Sequence, residues 1–72
     1  MIQVGFTKTD GSEVVEETVQ GAPKANEALA NLKADKESDN TVRKVWLAMQ
    51  RFTDENGNLI EAYWDIYAEI DL

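Results

Sequence analysis

Glu61, Tyr63, Asp65, Tyr67, Glu69 and Asp71 occupy every second position near the C-terminal end of this chain. In an extended strand, alternate side chains fall on one face, about 7 Å apart. The spacing therefore predicts a ladder of negative charge with aromatic rungs. Carboxylates so placed can steer a basic protein surface toward the strand, and tyrosines then add contact area at low entropic cost. A protein that grips nucleic acid offers such a groove, and an acidic ladder can occupy it as a phosphate mimic. Against this stands the plain expectation that the open face of any sheet is polar and that Tyr is common in strands.

Other reactive groups are scarce. The 72 residues include no His and no Cys. That removes disulfides and the ordinary zinc, haem and iron–sulfur sites. Ser12 and Ser38 sit in turn-like and loop-like sequence with no base to activate them. The lysines lie among acids, which raise rather than lower an amine pKa. Paired carboxylates can do acid–base work, but a sheet with one helix holds no deep cleft for them. Gly5, Gly11, Gly21 and Gly57 are scattered and form no phosphate loop. Asp54-Glu55-Asn56-Gly57-Asn58, with Asp65 eleven residues after Asp54, echoes a calcium loop. Its Gly stands fourth instead of sixth, and a hairpin turn accounts for the same residues. Asp35, Glu37 and Asp39 alternate with no closing bidentate acid. The expectation is a non-enzyme with no metal and no cofactor.

Charge narrows the partners. Seven basic residues face fourteen acidic ones, giving −7 and a pI near 4.3. Residues 52–72 hold six acids and no base. Direct nucleic-acid binding needs a basic face, and so does an anionic membrane surface. No apolar run is long enough to span a bilayer. Met1-Ile2-Gln3 opens directly into a strand pattern without a leader-like region, so the cytoplasm is the expected compartment. The expected function is a small acidic interaction module, an inhibitor or adaptor on a basic protein. A nucleic-acid-binding protein is one such partner, and size and charge fit phage anti-defence proteins. The alternative is an accessory or oligomer-forming domain, monomer or homodimer, whose acids confer solubility alone.

The elements that must position these residues follow from periodicity. Ile2, Val4 and Phe6 alternate with polar or small residues, and Asp10-Gly11 separates them from a second strand-like run, Glu13 to Gln20. Together they predict a hairpin over 1–20. Gly21-Ala22-Pro23 breaks the pattern, and Pro is compatible with a first helical turn. Ala25, Ala28, Leu29 and Leu32 then mark one face of a helix over about 23–36. Residues 37–41 read as a loop. Residues 42–71 read as a long hairpin turning at Asp54-Glu55-Asn56-Gly57, a type I turn with Gly at positive φ, or alternatively a type I′ turn at Asn56-Gly57. In its last strand Ile60, Ala62, Trp64, Ile66, Ala68 and Ile70 form the inward set, with Trp64 and Ile66 expected under Ala28, Leu29 and Leu32.

The fold class is therefore α+β: one small ββαββ domain, a four-stranded sheet with one helix on one face. Strand 1 is uncharged from Met1 to Thr7 and reads as central, and strand 2 carries Glu13, Glu16 and Glu17 and reads as an edge. In element order and length the chain resembles the β-grasp sheet of the immunoglobulin-binding domains of proteins G and L. The expected strand order is 2-1-4-3, with strands 1 and 4 side by side and parallel, and the resemblance carries no function. The register of the long hairpin has two solutions. Pairing Asp54 with Asn58 turns Trp46, Ala48 and Phe52 inward and sets Glu61 against Arg51 and Glu69 against Arg43. Pairing Glu55 with Asn58 makes Val45, Leu47 and Met49 core and turns Trp46 and Phe52 out beside Tyr67 and Glu61. Turn chemistry favours the first and core composition the second, which is the one preferred here.

Overall fold

The structure is a computed structural model that describes residues Met1–Leu72. Its elements are β1 (Ile2–Lys8), β2 (Glu13–Val19), α1 (Ala22–Lys36), β3 (Val42–Thr53) and β4 (Leu59–Asp71). All four strands form one sheet in the order β2-β1-β3-β4, every pair antiparallel. The order 2-1-4-3 expected above is therefore wrong, and β3, not β4, lies beside β1. The reason is in β3 itself. Val45, Trp46, Leu47 and Ala48 are four consecutive buried residues. A strand buried on both faces belongs inside a sheet, whereas one that alternates with acids tolerates an edge.

Both hairpins close with the same turn. Lys8 N–H donates to Ser12 O at 2.8 Å and Gly11 N–H to Lys8 O at 2.9 Å. Asp54 N–H donates to Asn58 O at 2.9 Å and Gly57 N–H to Asp54 O at 3.1 Å. Gly11 and Gly57 take φ of 90° and 81°, so each hairpin is a type I turn ended by a glycine bulge. In each, an Asp side chain satisfies nearby donors: Asp10 accepts from Ser12 N–H and Oγ, and Asp54 from Asn56 N–H and Asn58 N–H.

Helix α1 starts at Gly21 without a side-chain cap and carries Pro in its first turn. Lys33 and Lys36 in its last turn oppose the negative end of the helix dipole. Its buried stripe, Ala25, Leu29 and Leu32, meets Ile2, Val4 and Phe6 of β1 and Val42, Val45 and Leu47 of β3. Val14, Val19, Ala28, Ala68 and Ile70 close the margins, and the Lys36 amine stands 4.8 Å over the Phe6 ring.

The register of β3 with β4 combines both sequence solutions. The turn pairs Asp54 with Asn58, as turn chemistry requires, and Thr53 faces Leu59. The core end nevertheless buries Val45 and Leu47 beneath the helix. Two irregularities make this possible. One lies between Arg51 and Thr53, and in the other Leu47 faces Ala68 while Ala48 faces Ile66, leaving Tyr67 as an extra residue. A bulge resets the side-chain phase of its strand. Ala68 and Ile70 thus share the helix side with Leu47 and Val45, whereas Ile66 and Trp64 pair with Ala48 and Gln50 on the other side. The expected burial of Trp64 and Ile66 under α1 does not occur, and the single inward set of β4 is broken at Tyr67.

Candidate functional site

Trp46, expected outward at a partner surface, is 2% exposed. It lies on the face away from α1, yet it is covered. Its Nε1–H donates to the Thr7 hydroxyl at 3.1 Å, and Thr7 is itself buried. The neighbouring position on β1 is Gly5, where a Cβ would come within 2.6 Å of the Trp46 ring and would also collide with the Val14 carbonyl. The missing side chain of Gly5 is the space the indole occupies. Trp46 is therefore a core residue of the open face and leaves the candidate surface.

The acidic ladder is also rearranged. Glu69 pairs with Trp46 and Asp71 with Lys44, which puts both on the open face. Asp65 pairs with Met49 and Tyr63 with Arg51, which puts both on the helix side, and Tyr67 is the bulge between the two groups. Two of the carboxylates are held internally. Lys44 Nζ reaches Glu69 at 2.8 Å, and Arg51 Nε reaches Asp65 at 3.2 Å. The pairings that the first register would set, Glu61 against Arg51 and Glu69 against Arg43, do not form; Arg51 faces Tyr63 and Glu69 faces Trp46. Glu61 and Asp71 have no ion-pair partner. The structure thus splits the six-residue ladder into an open-face pair, a helix-side pair, the bulge and Glu61.

A different grouping emerges at the far end of the long hairpin. The first residue of β1, Ile2, pairs with Met49. Beyond Met49 no strand lies beside β3 except β4, so residues 50–64 form a two-stranded arm extending past the body. The arm carries Phe52, Leu59, Ile60, Tyr63 and Trp64 exposed, Phe52 at 56% and Leu59 at 86%. Isolated single apolar residues on a surface are ordinary; five on one short projection are not. Phe52 and Tyr63 were singled out by sequence. Leu59 and Ile60 were missed, because alternation alone assigned Ile60 to the core. The signal that finds them is length: β3 and β4 run 12 and 13 residues, while β1 offers seven to cover them.

The remaining polar chemistry is local. Asp10, Asp39 and Asp54 all have pKa values below the ordinary carboxylate range. The chief cause is the Ser12 hydroxyl for Asp10, the Thr41 hydroxyl for Asp39 and the Asn58 backbone N–H for Asp54. A groove of about 270 Å³ between β2 and α1 has Val4, Ala28 and Leu32 as its floor and Glu16, Glu17, Asn31 and Asp35 at its rim. Compared with family models, with curated proteins and with solved structures, the chain matches none.

Proposed function

We propose that this chain is a non-catalytic protein-binding module, an inhibitor or adaptor in kind, that docks on a basic protein surface through the β3–β4 arm. The observation that carries the reading is the exposure of Phe52, Leu59, Ile60, Tyr63 and Trp64 beyond Ile2, the first residue of β1. An interface needs anchors of this type, and aromatic ones dominate binding energy when a partner desolvates them. Charge supplies direction. The chain carries −7, and the segment containing the arm tip and β4 has no base. Long-range attraction of that sign speeds encounter with a basic surface. The division of carboxylates between two faces, with two of them already paired, favours a charge-steered aromatic interface over mimicry of a phosphate backbone.

The test removes the outer part of the arm, with Phe52, Leu59 and Ile60, and keeps the body. Arg51 and Tyr63 face each other across the hairpin, so residues 52–62 can be replaced by Asn-Gly, a two-residue type I′ loop. Immobilised wild type should retain a basic protein from host extract, release it steeply with salt, and lose it in the shortened variant. Equal retention by both would remove the arm from the reading. A dimer of the wild type that dissociates on shortening the arm would instead identify self-assembly as its use.

A further inference from the structure

Strand β4 is bordered by β3 on one side only, so the other side of Leu59–Asp71 presents unpaired backbone groups. Such an edge is a template for another strand. The sheet has a second edge, β2, but it is seven residues long and its register with β1 breaks at Glu16. β4 is nearly twice as long, and outside its bulge it pairs regularly with β3 over residues 63–66 and 68–71.

The side chains along β4 define what can lie beside it. On the open face, counted from the arm toward the C-terminus, they are Trp64 and Ile66, then Glu69 and Asp71. Trp64 is exposed, and Glu69 is half-exposed in its pair with Lys44. Glu69 and Asp71 are two residues apart on one face, about 7 Å. No Lys or Arg occurs in β4. A second copy would bring another chain of charge −7 alongside, with like charges across the new pair. A strand with cations at alternate positions meets the opposite condition.

We propose that the open edge of β4 takes an extended basic segment of the protein partner as a fifth strand, with Lys or Arg at alternate positions against Glu69 and Asp71 and apolar side chains against Trp64 and Ile66. This rests on the binding-module reading above and adds the form of the ligand. Main-chain hydrogen bonds provide affinity, and the change from acidic to apolar along the edge fixes the direction and phase of the incoming strand.

The experiment uses the full-length chain, labelled for NMR, and two synthetic peptides: Lys-Thr-Lys-Thr-Val-Thr-Val for antiparallel addition and Val-Thr-Val-Thr-Lys-Thr-Lys for parallel addition. Glutamate replaces lysine in the control peptides. At least one lysine peptide should slow amide exchange in β4 by tenfold or more and leave β2 unchanged, and the glutamate peptides should do neither. Asp71→Lys alone, and Glu69→Lys with Asp71→Lys, should abolish the effect. Glu27→Lys with Asp35→Lys on α1 alters charge as much as the double variant does and should preserve it. Asp71 is exposed, so its single variant keeps the test valid if the double variant unfolds. Several results would overturn the proposal: protection of β2 instead, binding without protection of β4, equal loss in the α1 variant, no response to either lysine peptide, or β4 amides already protected in a peptide-free dimer. If a host protein is captured through the arm while β4 amides in that complex still exchange freely, the fifth strand is excluded and the module reading stands.

Discussion

Gly5 and Trp46 act as a pair, and the pair sets the most sensitive point of the open face. A methyl group at residue 5 meets both the indole and the Val14 carbonyl, and the carbonyl cannot rotate away. Gly5→Ala should therefore destabilise the fold by roughly 1–3 kcal/mol, the usual range for overpacking, as read from the urea midpoint. Trp46→Ala should cost roughly 3–5 kcal/mol, whereas Trp64→Ala, at a 39% exposed position, should cost no more than about 1 kcal/mol. Equal losses at the two tryptophans would contradict the separation of body from arm. A second residue-scale prediction concerns acid. Asp10, Asp39 and Asp54 have folded pKa values below their unfolded ones, so each stabilises the fold above the unfolded value, and that contribution disappears as pH falls through the folded value. The Tm gap between wild type and the Asp10→Asn, Asp39→Asn, Asp54→Asn variant should be flat from neutral pH down to about 5 and close below about 4. A gap that widened with acid would have the wrong sign.

Among the elements, β4 is the one whose faces depend on a single residue. If Tyr67 took a regular place in the ladder, Ile66 and Trp64 would move to the side of Leu47; deleting it instead keeps Ile66 beside Ala48 and Trp64 beside Gln50. Deletion of Tyr67 should thus shift Tm by only a few degrees, and so should replacing residues 52–62 by Asn-Gly, since none of those residues belongs to the buried cluster or pairs with β1. A marked fall of Tm in circular dichroism melts of either variant would contradict this. The same strand shows how far sequence could be read. The hairpins, the helix limits and the β1 core were legible because Ile2, Val4 and Phe6 alternate and Ala25, Leu29 and Leu32 share a helical face. The run Val45-Trp46-Leu47-Ala48 was equally visible and signals a doubly buried strand, but weight on the uncharged β1 and the clean alternation of β4 concealed it. The bulge at Tyr67 was not legible, because a bulge adds a residue without altering the local apolar pattern. The candidate site suffered most: its six alternating residues were read as one face, and a phase reset divides them into two.

On the scale of the whole molecule, one thin layer of helix covers the centre of a sheet whose ends are bare. The principal extents, 42 × 28 × 15 Å, reflect a blade more than a sphere. Its net charge is spread over both edge strands, so added salt should raise Tm modestly by screening self-repulsion and should at the same time weaken the proposed partner binding. Opposite responses of folding and docking to one variable are measurable in a single titration; parallel responses would mean that charge does not steer the encounter.

The two tryptophans divide between the body and the arm. Trp46 is enclosed and donates its indole N–H to Thr7, and Trp64 stands in the open on the projecting hairpin. Their emission should therefore separate into a short-wavelength component that acrylamide scarcely quenches and a long-wavelength component that it quenches readily. Each belongs to a different event. The shielded component should change only when the sheet unfolds, and the accessible one should shift to the blue when the proposed partner covers the arm. An unlabelled sample thus contains its own optical probes for folding and for recognition, with Trp64→Phe as the control that should remove the second signal and preserve the first.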